Sequence, residues 1–367
     1  MKLHFKIANG FLVLIGLAVV SLAIVMSHTS SCGPAPAAAA GPDQVKAIHF
    51  NCYGPPEVLE LVYVTKPVPA DYEVLVRVKA ASVNPLDWHY MRGSPYVMRF
   101  MEGLGAPKNN SLGADFAGIV DAVGSNVTRF KVGDAVFGSG RGAFAEYVTK
   151  HEDGSLAFKP ADVSFTQVAA IPVAGVTALQ ALRDHGKLEP GQRVLINGAS
   201  GGVGTYAVQI AKAFDATVTG VCSERNKALV QSIGADHVID YRQTNYTDGE
   251  ERYDLIVDMV GNHSFLANLG VLKPNGRLVI VGGQKGDWIG PLSNMIKDPV
   301  LSPFVDQEIV TMLAHSSGAE LTALAKLMES GDLVSVIDRA YPLSEVPAAI
   351  AYSEEGHARG KIVIEME

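Results

Sequence analysis

The apolar pattern of this chain has three regimes. Residues 7–26, "IANGFLVLIGLAVVSLAIVM", form an apolar run without a charged side chain, and the small-residue, proline-rich "SHTSSCGPAPAAAAGPD" follows. From Val45 the pattern shortens. "VKAIHFNCYG", "EVLELVYV" and "EVLVRVKAASVN" alternate or run apolar with β-branched residues, bounded by the breakers "GPPE" and "KPVPADY". "GIVDAVGSNVTRFKVGDAVFG" and "GAFAEYVT" continue in kind, which predicts a mostly-β region. After "FTQVAAIPVAGVTALQALRDHGKL", which has helical spacing, the strands "RVLING", "TVTGVCS", "HVIDY", "YDLIVDMVG" and "RLVIVGG" alternate with helical stretches. That alternation predicts an α/β region with a parallel sheet covered on both faces.

Length and charge narrow the reading. The chain has 367 residues, 48% of them hydrophobic and 19% charged, so it can bury a large core and has room for two domains. A formal net charge of −8 with no run of like charge makes nucleic acid a poor partner. The twenty uncharged residues 7–26 suffice to span a hydrocarbon core of about 30 Å. They are either a signal peptide, cut near Ala37, or an uncleaved membrane anchor; their length favours the anchor. Cys32, Cys52 and Cys222 are an odd number at wide spacing, and are expected to form neither a disulfide framework nor a zinc cluster.

The densest chemical signal is "LINGASGGVGTYAVQIAKAF", with Gly198, Gly201, Gly202 and Gly204 between a β-branched strand and a run in which Ala207, Ile210, Ala211 and Phe214 recur at helical spacing. A glycine-rich turn feeding a helix N-terminus offers free N–H groups and a dipole to a pyrophosphate. The next strand ends in "VCSERN", where an acidic residue would bind the ribose 2′-hydroxyl of NAD. Ser223 and Arg225 suit a 2′-phosphate instead, so NADPH is expected, although Glu224 could turn inward and admit NADH.

Together with "SIGADHVIDY", "ASVNPLDW", "LGADFAGIV", "VGDAVFG", "AAIPVAGVTALQAL" and "VDMVGN", in that order, this loop makes residues 45–367 resemble the zinc-independent quinone oxidoreductases of the medium-chain dehydrogenase/reductase superfamily. The resemblance is closest to the branch with the plant chloroplast-envelope quinone oxidoreductase homologues. It implies a Rossmann doubly wound parallel sheet plus a mostly-β GroES-like catalytic domain, here preceded by an N-terminal hydrophobic helix. The implied division is 1–44 anchor or signal segment and linker, 45–172 catalytic domain, 173–315 NADP-binding domain, and 316–367 a return into the catalytic domain as helix, strand pair, helix and final strand. Zinc-dependent relatives carry a cysteine where this chain has Asn84, and Gly-His-Glu where it has Gly113-Ala114-Asp115, so no metal is expected.

The resemblance also supplies site residues. Asn84, Asp87 and Tyr90 are the catalytic candidates, with Asn84 as a hydrogen-bond donor facing the nicotinamide and Tyr90 as a possible second donor. Val173, Thr177, Ser200, Gly201, Gly202, Val203, Gly204, Ser223, Arg225, Tyr241, Val260, Gly261, Val281 and Gly282 are the cofactor candidates. The expected reaction is hydride transfer from NADPH to a lipophilic quinone or α,β-unsaturated carbonyl. The alternatives are an NADPH-binding membrane-associated or structural protein with little turnover, and a weak alcohol or aldehyde dehydrogenase. A homodimer is implied, anchored through residues 7–26 to a bacterial inner membrane. Lys2 and Lys6 would hold the N-terminus in the cytoplasm and the enzyme outside it, whereas NADPH use favours the cytoplasmic face.

Overall fold

In the computed structural model, which describes residues 17, 20–33, 41–283, 286–288 and 305–366, two large sheets are joined where the last strand begins. β1 (Gln44–His49) and β2 (Glu60–Thr65) form an antiparallel ribbon. β3 (Glu73–Val83), β4 (Asp115–Val123), β5 (Ala135–Ser139), β6 (Tyr147–His151) and β7 (Leu156–Phe158) follow as the body of a mostly antiparallel sheet. Its core includes Val74, Val76, Phe116, Val136 and Phe144, all fully buried.

The second sheet comprises β8 (Arg193–Asn197), β9 (Thr217–Cys222), β10 (His237–Asp240), β11 (Tyr253–Asp258), β12 (Leu272–Ile280) and β13 (Glu308–Thr311). Every pairing in it is parallel, in the order β10-β9-β8-β11-β12-β13. Val194, Leu195 and Ile196 run apolar without alternation and are all buried, because both faces of a parallel sheet are covered. The order reverses between β8 and β11, which opens a crevice at the carboxyl ends of those strands. β14 (Ile337–Pro342) and β15 (Lys361–Glu365) then return to the first sheet, where β15 pairs antiparallel with β3 and parallel with β14.

The structure departs from the sequence expectations at two places. The expected strand pair before the last helix is the single strand β14. Residues 333–336 stay out of the sheet because side chains satisfy their backbone: Gln209 Oε1 accepts from Val334 N at 2.9 Å, and Gln167 Oε1 accepts from Ser335 N at 2.9 Å. Cys32 and Cys52 form a disulfide, contrary to the cysteine reading, while Cys222 stays reduced and buried. Sequence spacing gave no sign of this pairing, because it depends on a strap held elsewhere: Ser30 N donates to Gly105 O at 2.8 Å, and Arg99 Nη1 donates to His28 O at 2.8 Å. Most of the expected span 7–26 lies outside the described residues; residues 20–27 are helical, and among the described residues no helix is long and apolar enough to cross a membrane.

Candidate active site

The glycine-rich loop does what its composition suggests. Gly198 follows β8 at φ +91, a left-handed conformation that favours glycine, and a Cβ on Gly204 would lie 2.1 Å from Gly198 O. The loop therefore closes tightly onto helix Gly202–Ala213, which starts from Gly201 without a side-chain cap. Uncapped N–H groups at a helix start are available to an anion. Beside them, Asn226 Nδ2 donates to Ser200 Oγ at 2.9 Å, and Asn226 Oδ1 is buried with no hydrogen-bond partner. A glycine cradle beside an unsatisfied buried oxygen fits a polyhydroxylated, phosphate-bearing ligand.

Neighbouring strand ends complete this wall. Asp258, at the end of β11, accepts from Val260 N at 3.0 Å, Gly261 N at 2.9 Å and Asn197 Nδ2 at 2.8 Å, which fixes the loop after the strand. Val281 N donates to Asp258 O at 2.8 Å, and a Cβ on Gly282 would meet Met259 O at 2.2 Å, so the ends of β11 and β12 lie against each other. Ser223 is buried at the end of β9; Tyr241 N donates to Cys222 O at 3.2 Å, and Arg225 Nη2 to His357 O at 3.2 Å. Glu224 pairs with Lys227 Nζ at 2.9 Å.

The opposite wall is a buried polar cluster. Asn84 caps helix Pro85–Arg92; its Nδ2 donates to Asp115 Oδ2 at 2.9 Å, and its Oδ1 accepts from Lys361 Nζ at 2.6 Å. Lys361 Nζ also donates to Val83 O at 3.1 Å and lies 3.8 Å from Asp115 Oδ2. Asp115 Oδ2 accepts from Ser82 Oγ at 3.0 Å, and its Oδ1 from Val173 N at 3.0 Å, which ties the cluster to helix Pro172–Gln180. Thr177 Oγ1 donates to Val173 O at 2.7 Å within that helix. Asp87 accepts from Asn84 N at 2.8 Å and Gly113 N at 3.2 Å.

Burial governs the charges here. It pushes the Asp87 carboxyl up to about 7, with the charge of Asp115 adding to the effect. It pushes Asp115 up against the pull of the Lys361 ammonium, and pushes Lys361 down against the two carboxylates. Tyr90 stands outside the cluster, with the Arg141 guanidinium 4.3 Å over its ring, and partial burial raises its hydroxyl. Among the described residues no group of three or more His, Cys, Asp or Glu is arranged to hold a metal ion. At Asn84 and Asp115 the local cation is the Lys361 ammonium, so this donor set does not fit zinc.

The two walls touch at residues 200–202 and 360–361. Gly360 N donates to Ser200 O at 3.0 Å, Gly201 bridges to Gly360, and a Cβ on Gly202 would sit 3.2 Å from Lys361 Cδ. Sequence reasoning singled out Asn84 and the loop but missed Lys361, Gly360, Asn226 and Asp258. Asn226 and Asp258 lie within "VCSERN" and "VDMVGN", but for Lys361 the local signal was the glycine before it in "ARGKIVIEM", and nothing nearby tells where that lysine reaches.

A glycine-rich loop between a parallel-sheet strand and an uncapped helix start, facing a β domain with a buried polar cluster, fits a nucleotide-dependent oxidoreductase. The alcohol dehydrogenase GroES-like domain model matches residues 70–161, and the zinc-binding dehydrogenase model matches residues 233–364. The chain is 34% identical to the chloroplast envelope quinone oxidoreductase homolog of Arabidopsis thaliana, over 87% of this chain and 98% of the relative. It is 33% identical to the quinone oxidoreductase of Homo sapiens, over 89% and 99%. Among solved structures, the quinone oxidoreductase from Coxiella burnetii superposes with a TM-score of 0.79 at 32% identity, over 88% of this chain and 100% of that one. The Escherichia coli quinone oxidoreductase complexed with NADPH superposes with a TM-score of 0.75 at 28% identity, over 87% and 99%. The chain belongs to the quinone oxidoreductase family of the medium-chain dehydrogenase/reductase superfamily, and is an NAD(P)H-dependent oxidoreductase.

Proposed function

We propose that the protein is a zinc-independent reductase that uses NADPH to reduce a lipophilic quinone or α,β-unsaturated carbonyl. The observation that carries this reading is the Lys361–Asn84–Asp115 cluster, which sets an ammonium and an amide against the glycine-rich loop where metal-dependent relatives keep ligands. Bound NADPH supplies the hydride. The N–H groups of Gly202, Val203 and Gly204 hold the pyrophosphate beside Ser200 and Gly201, and Ser223, Arg225 and Tyr241 hold the 2′-phosphate end. Val173 and Thr177 would lie against the nicotinamide, and Val260, Gly261, Val281 and Gly282 would line the cofactor from the loops at the strand carboxyl ends. The acceptor oxygen, which would gain negative charge on reduction, would need hydrogen-bond donors from the chain. The second N–H of Asn84, whose contact with Ser82 O is long at 3.4 Å, is assigned that role, with the Tyr90 hydroxyl as a second donor. Asp87 positions the Asn84 loop.

The same reading divides the chain at 45–172, 173–315 and 316–367, takes a homodimer as the working unit, and anchors it through residues 7–26. The Cys32–Cys52 disulfide and the N-terminal lysines favour an oxidising compartment for the folded domain, against the cytoplasmic face that NADPH supply favours. Maleimide labelling of intact spheroplasts, with and without reductant, decides between the faces.

NADPH oxidation by the purified protein, with a quinone or a medium-chain enone and with or without a chelator, tests the activity. Acceptor-dependent turnover that survives chelation and prefers NADPH to NADH is expected; turnover lost on chelation would overturn the zinc-free reading. One observation favours the binding-protein alternative: both ends of the Asn84 amide are already engaged. Tight NADPH binding without acceptor-dependent oxidation, unchanged by Asn84→Ala, would select it.

A further inference from the structure

Resting on the membrane association proposed above, we infer that the segment around Arg99–Gly105 is a bilayer-contacting ledge through which a lipophilic acceptor reaches the cleft. Phe100, Met101 and Leu104 are exposed, Met101 at 82%, and they flank the two residues that hold the N-terminal strap. Arg99 Nη1 donates to Met26 O at 3.1 Å and to His28 O at 2.8 Å, and Gly105 O accepts from Ser30 N at 2.8 Å. Immediately upstream, helix 20–27 buries Met26 but exposes Val20, Ile24 and Val25. The Cys32–Cys52 disulfide closes the strap covalently onto the catalytic domain. The exposed apolar residues of two separate segments are thus gathered where an uncharged run of twenty residues, 7–26, ends.

A bilayer is the occupant that this arrangement fits. Monomeric soluble proteins rarely leave large contiguous apolar patches facing water. Here the neighbouring chain is itself apolar enough to enter lipid, and the exposed Lys108, whose Nζ donates to Met101 O at 3.3 Å, stands at the ledge as a cation for anionic headgroups. Aromatic side chains adjoin the ledge. Arg99 lies 4.7 Å over the Tyr96 ring, Tyr96 packs edge-on against Trp288 at 5.2 Å, and Tyr96 N donates to Asp287 O at 2.6 Å. That contact joins the catalytic domain to the stretch after β12 and sets aromatic side chains beside the ledge on the side of that stretch.

Met101→Trp and, as a control on a remote exposed side chain, Val68→Trp in the full chain test the inference in vesicles of phosphatidylcholine and phosphatidylglycerol with brominated acyl chains. With wild-type emission subtracted, the tryptophan at 101 is expected to be quenched and that at 68 not. Co-flotation with the vesicles and equal quenching at the two positions would overturn the ledge while leaving the anchor intact. Failure to float would overturn both. A second readout uses Phe100→Ser with Met101→Ser and Leu104→Ser: KM for a long-chain quinone dissolved in the bilayer should rise, while KM for a short-chain soluble quinone stays unchanged. Equal effects on both quinones would count against lateral entry, and turnover with the soluble quinone tests the reductase reading separately.

Discussion

The two walls of the cleft are built differently. The glycine-loop wall, proposed above to hold the phosphates, is mostly main chain: glycines remove side chains so that N–H groups stand open, and the side chains of Asn226 and Asp258 only brace it. The wall of Asn84, Asp115 and Lys361 is made of side chains sealed from water, and draws on residues 82–87, 113–115, 173 and 361. A main-chain site is broken by adding atoms, whereas a side-chain site is broken by removing one partner of a set.

The largest effect is expected from Gly204→Val, which would drive a side chain into Gly198 O. NADPH binding, followed by fluorescence titration, should be lost; Gly201→Ala, whose Cβ would meet only Gly198 O at an ordinary 3.4 Å, should retain most of it. On the other wall, Lys361→Met strands the buried Asp115 and should cost about 3–5 kcal/mol in urea unfolding. Adding Asp115→Asn to that variant should recover much of the loss, because it removes the uncompensated charge. Removing the single charge of Arg225, by Arg225→Ala, is expected to raise KM for NADPH about tenfold and leave KM for NADH unchanged, on the scale of one charge-assisted hydrogen bond.

The same wall also carries a pH dependence. The Asp87 carboxyl rises from 3.8 to about 7 on folding, so the folded chain holds a proton that the unfolded chain has released. The stability from that proton is fully present below about pH 4 and is lost as pH rises through about 7. The melting temperature of the wild type relative to Asp87→Asn should therefore rise as pH is lowered from neutral; a pH-independent difference would refute the shift.

Legibility in the sequence followed the same divide. The strands from β8 to β12 and the loop after β8 could be read because period, turn chemistry and a helix start all lie within a short window. Asn84 was singled out by its place in a resembling motif, but its partners were not, because Lys361 reaches it across the whole chain and the lysine sits in an ordinary apolar strand. The Cys32–Cys52 pairing was hidden for a related reason. It depends on Arg99 collecting the carbonyls of Met26 and His28, a three-way contact that no spacing rule encodes.

The Ser200–Gly360 contact has a mechanical consequence. The main-chain bond from Gly360 N to Ser200 O and the Gly201–Gly360 bridge sit at the base of the cleft, while Tyr96 N bonds Asp287 O on another pair of segments. The two halves are therefore pinned at two separate places, residues 200–202 against 360–361 and residue 96 against 287, and at the first of them the aliphatic stem of Lys361 is seated against Gly202.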